Sequence, residues 1–501
     1  MNAYAPQMGA VRISWPLPLT SVLAVFATLL LAICWCGLAD PNLVPGFFNL
    51  PWHDSIATIA AEGTIFVCLF VPVVWLVLSR RADFAAIWIM QNGLLAGGYF
   101  FLPETAYALS LPEVAIKILN TGGAIAIINA LGFAVLLVTL GLTNLFARLT
   151  RATINPLPRP PETYDWRLMI LLRTAAVVGI IVVAMAMAVS HTIPMLASDP
   201  EAARYAFTKN SFTRPLFNLN MAVMPFVAGG LSVLFFRKPS RHFGMDGILG
   251  GTLVAFQFLS GDRFPLAVAT MVFLALMSME KKWPRWLLLV SVVTYFFLFV
   301  GLSGLTSMWR QNRDAMSSNE GLMAASFRQA YTGDNLIDYR DGAWVFAQWD
   351  KQPLLGITYV GGLTEMMPSA LFPQKKQWHL GKVALRIVGW EEHDDHYGLR
   401  LSSFAESFLN FGFAGVIGMG VIFGIILGTL SRHLTLLSNG EHLPCVARNL
   451  SALILTQMLL IWANSSDAFM FWALMALLLI MKIFVFRGRG PARIIDNWRR
   501  E

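Results

Sequence analysis

Residues 256–273 read FQFLSGDRFPLAVATMVF, and Asp262 and Arg263 interrupt a stretch that is otherwise apolar from Ile248 to Met279. Read as one long helix, 245–279 would carry everything after it to the opposite side of a membrane. Read as two helices joined at Ser-Gly-Asp-Arg, it returns the chain to the side it came from, and Ser, Gly and Asp are turn residues. A charge at bilayer depth costs ~2.5–3.5 kcal/mol on insertion scales, so a chain that keeps one there usually employs it.

The membrane enters through composition. The chain is 56% hydrophobic and 13% charged, with a mean hydropathy of +0.60, against roughly 25% charged residues in soluble domains. The net charge of +8 does not point to nucleic acid, because the basic residues sit in short segments between apolar runs, where they signal topology. Cys34, Cys36 and Cys68 lie inside apolar runs and Cys445 in a short polar connection, without metal or disulfide-framework spacing. The first apolar run, Leu17–Gly37, exceeds the roughly 7–15 residues of a signal-peptide core and is expected to be a retained helix.

Apolar runs near 17–37, 57–78, 84–102, 118–146, 168–191, 216–236, 245–260, 264–279, 285–303, 407–431, 446–464 and 467–486 predict an all-helical protein with about twelve membrane spans. With the N-terminus inside, the cytoplasmic segments carry 21 Lys and Arg, whereas the short outer loops hold only Lys117, Arg204, Lys209, Arg214 and Arg263. This bias places both termini in the cytoplasm, and it requires the SGDR turn to be outside. The expected organisation is 1–303 with spans one to nine, 304–403 as a large outer loop with short interfacial helices, and 404–501 with three spans and a basic cytoplasmic tail. Within the loop, PLLGITYVGGLTEMMPSALFP (353–373) is too broken by Gly and Pro to span. NPLPRPPE (155–162) is a stiff cytoplasmic linker.

No P-loop, GxGxxG, CxxC or HExxH is present, so nucleotide hydrolysis and the usual metal chemistries lack their signatures and no cofactor is expected. A reaction on the outer face then needs a substrate that arrives already activated. Arg310 and Arg313 in WRQNR are three apart, so on a helix they share a face and form a phosphate clamp, unless they are ordinary snorkelling arginines. Arg263 follows a span of about sixteen residues, roughly 24 Å against a hydrocarbon core of ~30 Å. A turn recessed in this way, with Asp262 as cap and Pro265 in the first helical turn, makes an anion site, unless the charges are only the exposed tip of a hairpin between two membrane helices.

Candidate bases come from GWEEHDDHYGLRLSSFAESFLNFG (389–412). HDDH at 393–396 is weak as a metal motif, though His396 is a candidate base. Glu406 enters an apolar run, where partial desolvation suits a carboxylate to general-base work; the alternative is pairing with an arginine such as Arg400. Arg340 and Asp341 in DYRDGAW read as a turn, and Tyr339, Trp344, Trp349, Tyr359, Trp378 and Trp390 supply the flat apolar faces that sugar sites use, or merely interfacial anchors.

Three blocks in order, SGDRFPLAVATMVFLAL, PLLGITYVGGLTEMMPSALFPQKK and SSFAESFLNFGFAGV, resemble the bacterial oligosaccharide repeat-unit polymerases, the Wzy-type O-antigen and exopolysaccharide polymerases. The resemblance covers roughly 245–430 and rests on a Gly-x-Arg turn, a Gly-x-x-Tyr … Pro … Pro-x-Lys loop and a Ser/Glu … Asn-Phe-Gly helix start. It points to Arg263, Tyr359, Pro373, Glu406, Asn410 and Gly412; Asp262 and Pro265 depart from the less constrained turns of many members. It implies a glycosyltransferase at the outer face of the bacterial inner membrane, moving a growing glycan from undecaprenyl diphosphate onto the next lipid-linked repeat unit. Arg263, Arg310 and Arg313 would bind diphosphate, Glu406 or His396 would act as base, and Arg340, Tyr359, Arg400 and Asn410 would contact substrate. Donor and acceptor lipids, the bilayer, a chain-length regulator and a flippase are the partners implied. A glycan ligase would use the same donor, and a transporter or lipid flippase is the rival of another class.

Overall fold

The computed structural model describes residues 53–79, 84–107, 112–149, 163–197, 203, 213–237, 243–260, 264–280, 283–295, 301, 305, 337–364, 367, 371–390, 399–439, 446–462 and 469–486. Among them every regular element is helical. Six helices are long and apolar enough to cross a membrane: Ile56–Leu76, Phe84–Phe101, Pro112–Asn144, Asp165–Ser190, Asn218–Phe236 and Ser403–Ser431. Shorter apolar helices cover Gly244–Leu259, Leu266–Ser278, Arg285–Tyr295, Val446–Ile461 and Met470–Phe486. Each coincides with an apolar run expected from the sequence; the first run, 17–37, lies outside the described residues.

The bundle is built around one helix. In chain order the first four helices are α1 (His53–Ser79), α2 (Phe84–Ala96), α3 (Leu102–Tyr107) and α4 (Pro112–Leu149). Every residue of α4 from 121 to 137 is buried, as expected of a helix apolar on all sides and surrounded by others. Next come α5 (Thr163–Ser190), α6 (Thr213–Arg237), α7 (Phe243–Leu259), α8 (Phe264–Glu280) and α9 (Arg285–Tyr295). The outer face of α5 is apolar and exposed at Val178, Ile181 and Val189, a surface suited to lipid. Its inner side holds Arg173, whose Nε and Nη2 donate to Asp246 of α7 at 2.5 and 2.9 Å. A two-pronged pair with a buried carboxylate meets the desolvation cost of both charges, so Arg173 is explained by packing.

The expected loop 304–403 contributes α10 (Ile337–Gln348), α11 (Ile357–Thr364), α12 (Lys375–Trp378) and α13 (Leu380–Ile387). DYRDGAW is not a turn. It lies inside α10, because burial of Tyr339, Ala343, Trp344 and Phe346 outweighs Asp-Gly turn chemistry. The Tyr339 hydroxyl donates to the Gly122 carbonyl at 2.7 Å, and Thr121 Oγ1 donates to the Ala343 carbonyl at 2.7 Å, which clamps α10 along α4.

Three helices complete the chain: α14 (Ser403–Asn439), α15 (Val446–Trp462) and α16 (Phe469–Met481). The expected single span 407–431 is broken at Gly412, whose φ of 62° and ψ of −150° reverse the chain. A straight helix would put Phe404 and Phe423 about 28 Å apart along its axis. Their ring centroids are 5.9 Å apart, and those of Phe408 and Phe413 are 4.8 Å apart. α14 therefore folds into a short arm, 403–411, lying back along a long arm that starts at 413.

The long arm packs on α4 through Gly420, Gly424 and Gly428. A Cβ at Gly420 would lie 2.8 Å from the Gly132 carbonyl oxygen, one at Gly424 2.7 Å from that of Leu136, and one at Gly428 3.1 Å from Thr143. These contacts advance together along both chains, so the two helices run parallel and their C-terminal ends emerge on the same side. Small residues four apart allow this backbone approach.

Candidate functional site

The short arm begins at Ser402, whose hydroxyl accepts from the Ala405 N–H at 3.2 Å and donates to Asn129 Oδ1 at 2.8 Å. A serine oxygen can do both, so one side chain caps the helix and pins it to the middle of α4. Arm and cap bury a carboxylate one turn later.

Glu406 is 0% exposed, as are Thr358 and Asn410. The Thr358 hydroxyl donates to Glu406 Oε1 at 2.6 Å and accepts from Asn410 Nδ2 at 2.8 Å. Asn410 Nδ2 also meets the Glu406 carbonyl at 2.9 Å, while its Oδ1 accepts from the Gly356 N–H at 2.9 Å. Each group in this chain has one direction available, and successive bonds polarise one another in a low-dielectric site.

The backbone reversal explains why 354–358 docks there. Ending the arm at Gly412 leaves its last carbonyls without helical partners. Leu354 N–H donates to the Leu409 carbonyl and Leu355 N–H to that of Asn410, both at 3.0 Å. Leu355 and Gly356 reach this position with φ of 50° and 87°, a left-handed conformation that costs a non-glycine residue roughly 1–2 kcal/mol. The two backbone bonds and the Asn410 contact offset it.

Tyr359 closes the other side. Ser407 Oγ donates to the Ser403 carbonyl at 2.6 Å, so it accepts from the Tyr359 hydroxyl at 2.9 Å. Burial and the nearby Glu406 carboxylate push the Tyr359 phenol well above its ordinary value, partly opposed by the Ser407 bond, so it stays a neutral donor. Its ring lies parallel to that of Phe411.

A second polar group flanks the start of the arm. Arg340 Nε and Nη2 donate to Asp341 Oδ1 at 3.1 and 2.8 Å, and the Arg400 N–H donates to Asp341 Oδ2 at 3.2 Å. Burial pushes the Asp341 carboxyl up, and the Arg340 guanidinium beside it works in the opposite direction. Arg400 itself is exposed.

Residues 399–410 thus carry two groups: Glu406, Ser407 and Asn410 meet the segment that holds Tyr359, and the Arg400 N–H meets Asp341 beside Arg340. Arg263, Arg310, Arg313 and His396 lie outside the described residues. Thr358 and Ser407 complete the network without having been singled out by sequence. The available signal was the place of Thr358 beside Tyr359 in GITY and of Ser407 beside Glu406 in AESF, three residues before Asn410. Among the described residues no group of three or more His, Cys, Asp or Glu could hold a metal ion. No family model, curated protein or solved structure matches the chain.

Proposed function

We propose that the chain is a membrane glycosyltransferase that polymerises oligosaccharide repeat units carried on a polyprenyl diphosphate, on the outer face of a bacterial inner membrane crossed about twelve times with both termini inside. The observation that carries this reading is the wholly buried Glu406 network, set where the expected outer segment docks on a broken apolar helix. An ionisable group kept at such a place in an apolar protein is a functional site by default.

In the reaction the anomeric C–O bond to the diphosphate breaks, a new C–O bond forms to the acceptor hydroxyl, and that hydroxyl's proton passes to a base. The leaving diphosphate takes the bonding electrons. Arg263, Arg310 and Arg313 would hold it, and Arg340 and Arg400 would contact substrate. Guanidinium forks suit phosphate oxygens and keep their charge. Two features favour a recessed Arg263: α7 and α8 have 17 residues each, about 25 Å of helix, and Ser260 is 1% exposed. Glu406, whose Oε1 accepts from Thr358, is one candidate base. His396 is the other candidate base.

A transporter is the second reading, favoured by the break in α14, since discontinuous helices build many transporter sites. The chemical fate of the donor separates the possibilities. Purified protein supplied with lipid-linked repeat units should yield free polyprenyl diphosphate together with glycans longer by whole repeat units. One transfer to a different acceptor would indicate a ligase, and unaltered lipid moved across the bilayer a transporter.

A further inference from the structure

Away from the Glu406 network, the seam between α5, α6 and α7 buries polar groups that nothing satisfies. Asn220 of α6 is 3% exposed and Gln257 of α7 is 2% exposed. Among the described residues the Oδ1 of Asn220 and both amide atoms of Gln257 have no hydrogen-bond partner. Pro225 stands inside α6 and has no N–H, so the Met221 carbonyl lacks the donor a helix would give it. We propose that Asn220 Oδ1, the Met221 carbonyl and Gln257 Oε1 bind one monovalent cation, sodium or potassium.

The packing of the helices brings these oxygens to one level. A Cβ at Gly247 of α7 would lie 2.7 Å from the Phe235 ring of α6, and one at Gly250 4.0 Å from Leu231 Cβ. The contacts run in opposite directions along the two chains, so α6 and α7 are antiparallel. Gln257 is about two turns beyond Gly250, and Met224 about two turns before Leu231, which sets them level across the seam; Asn220 is one turn further along the same stripe of α6. The third side is α5. A Cβ at Gly179 would lie 2.4 Å from Met224 Sδ and 3.0 Å from Asn220 Oδ1. Val183 and Met187 of α5 cluster with Met221, next to Asn220, and with Phe256 and Leu259, on either side of Gln257.

The chemistry selects the ligand. All three groups are neutral oxygens, and carbonyl dipoles of this kind replace the hydration shell of sodium and potassium ions, often where a helix is interrupted. Gln257 lies in the last turn of α7, which ends at Leu259, so the helix adds partial negative charge there and disfavours a phosphate or carboxylate. Calcium and magnesium favour carboxylate ligands. The acid on this face of α7, Asp246, is about three turns away and is held by Arg173. A bound cation would remove the cost of leaving three acceptors buried and unpaired.

The test is thermal unfolding of the full chain in nanodiscs, in sodium, potassium or choline chloride at equal total concentration. Sodium or potassium should raise the melting temperature saturably, by about 2 °C or more over choline, and Gln257→Leu should abolish the rise. That variant is expected to fold, because among the described residues its side chain has no hydrogen bond to lose, and in choline it should melt no lower than wild type. Radiolabelled sodium, or rubidium in place of potassium, should bind Gln257→Leu and Asn220→Leu at least about tenfold more weakly than wild type. A shift given by one ion alone would identify it as the ligand. Equal melting in all three salts, or an undiminished shift in Gln257→Leu, overturns the site.

Discussion

Thr358 Oγ1 lies 2.6 Å from Glu406 Oε1, and both residues are wholly buried. One hydroxyl therefore joins the 354–364 segment to the broken helix, and its loss leaves a buried carboxylate short of a donor. Thr358→Val keeps the shape and removes the bond, so stability should fall by about 1–3 kcal/mol, the range for removing one partner of a buried hydrogen bond. Thr358→Ser should recover most of it. Thermal unfolding in detergent reads both, and an unaffected Val variant would mean that the bond contributes nothing to the docking.

Gly412 tests the fold-back. Its φ of 62° with ψ of −150° belongs to a region open essentially to glycine alone, worth roughly 1–3 kcal/mol to any other residue. A Cβ there would meet nothing within 4 Å, so the penalty of Gly412→Ala is backbone strain and not collision. The variant should lose stability by that amount and transfer activity with it. Full stability in the alanine variant would contradict the reversal.

Asp341 gives a pH signature. Its carboxyl is pushed up by burial against the pull of Arg340, so the folded chain holds this proton more tightly than the unfolded one. Its contribution to stability is then fully present below the unfolded Asp value of about 3.9 and is lost as pH rises through the higher folded value. The melting temperature of wild type minus that of Asp341→Asn should decline with rising pH across that window. A difference that grows instead would mean that Arg340 and the Arg400 N–H outweigh burial.

Gln257 in α7 is 2% exposed, and among the described residues neither its amide oxygen nor its nitrogen has a hydrogen-bond partner. Replacing an unpaired buried amide with an apolar residue of similar volume should be stabilising, by about 1–3 kcal/mol. Gln257→Leu should therefore raise the melting temperature. A lower melting temperature would show that the amide is satisfied in the membrane-embedded protein.

Much of this was legible in sequence because apolar runs report helices directly. Run and helix agree from 57–78 to 467–486 wherever residues are described, and the segment that holds Tyr359 docks on the arm that holds Glu406 and Asn410. What escaped was tertiary. Hydropathy cannot tell a straight span from one that folds back, so Gly412 read as part of a single helix although GMGVIFGIILG carries the small-residue spacing of its contact with α4. DYRDGAW looked like a turn because local Asp-Gly chemistry is visible and burial against Ile125 is not.

The central claim is tested most directly by incubating the purified chain with polyprenyl-diphosphate-linked repeat units and resolving the products on a gel, beside Glu406→Gln at equal abundance. The account predicts a ladder spaced by one repeat unit from the wild type, reduced at least about a hundredfold in the variant, roughly 2.7 kcal/mol of transition-state stabilisation. A wild-type chain that leaves the lipid-linked units intact, or a Glu406→Gln ladder equal to that of the wild type, would contradict it.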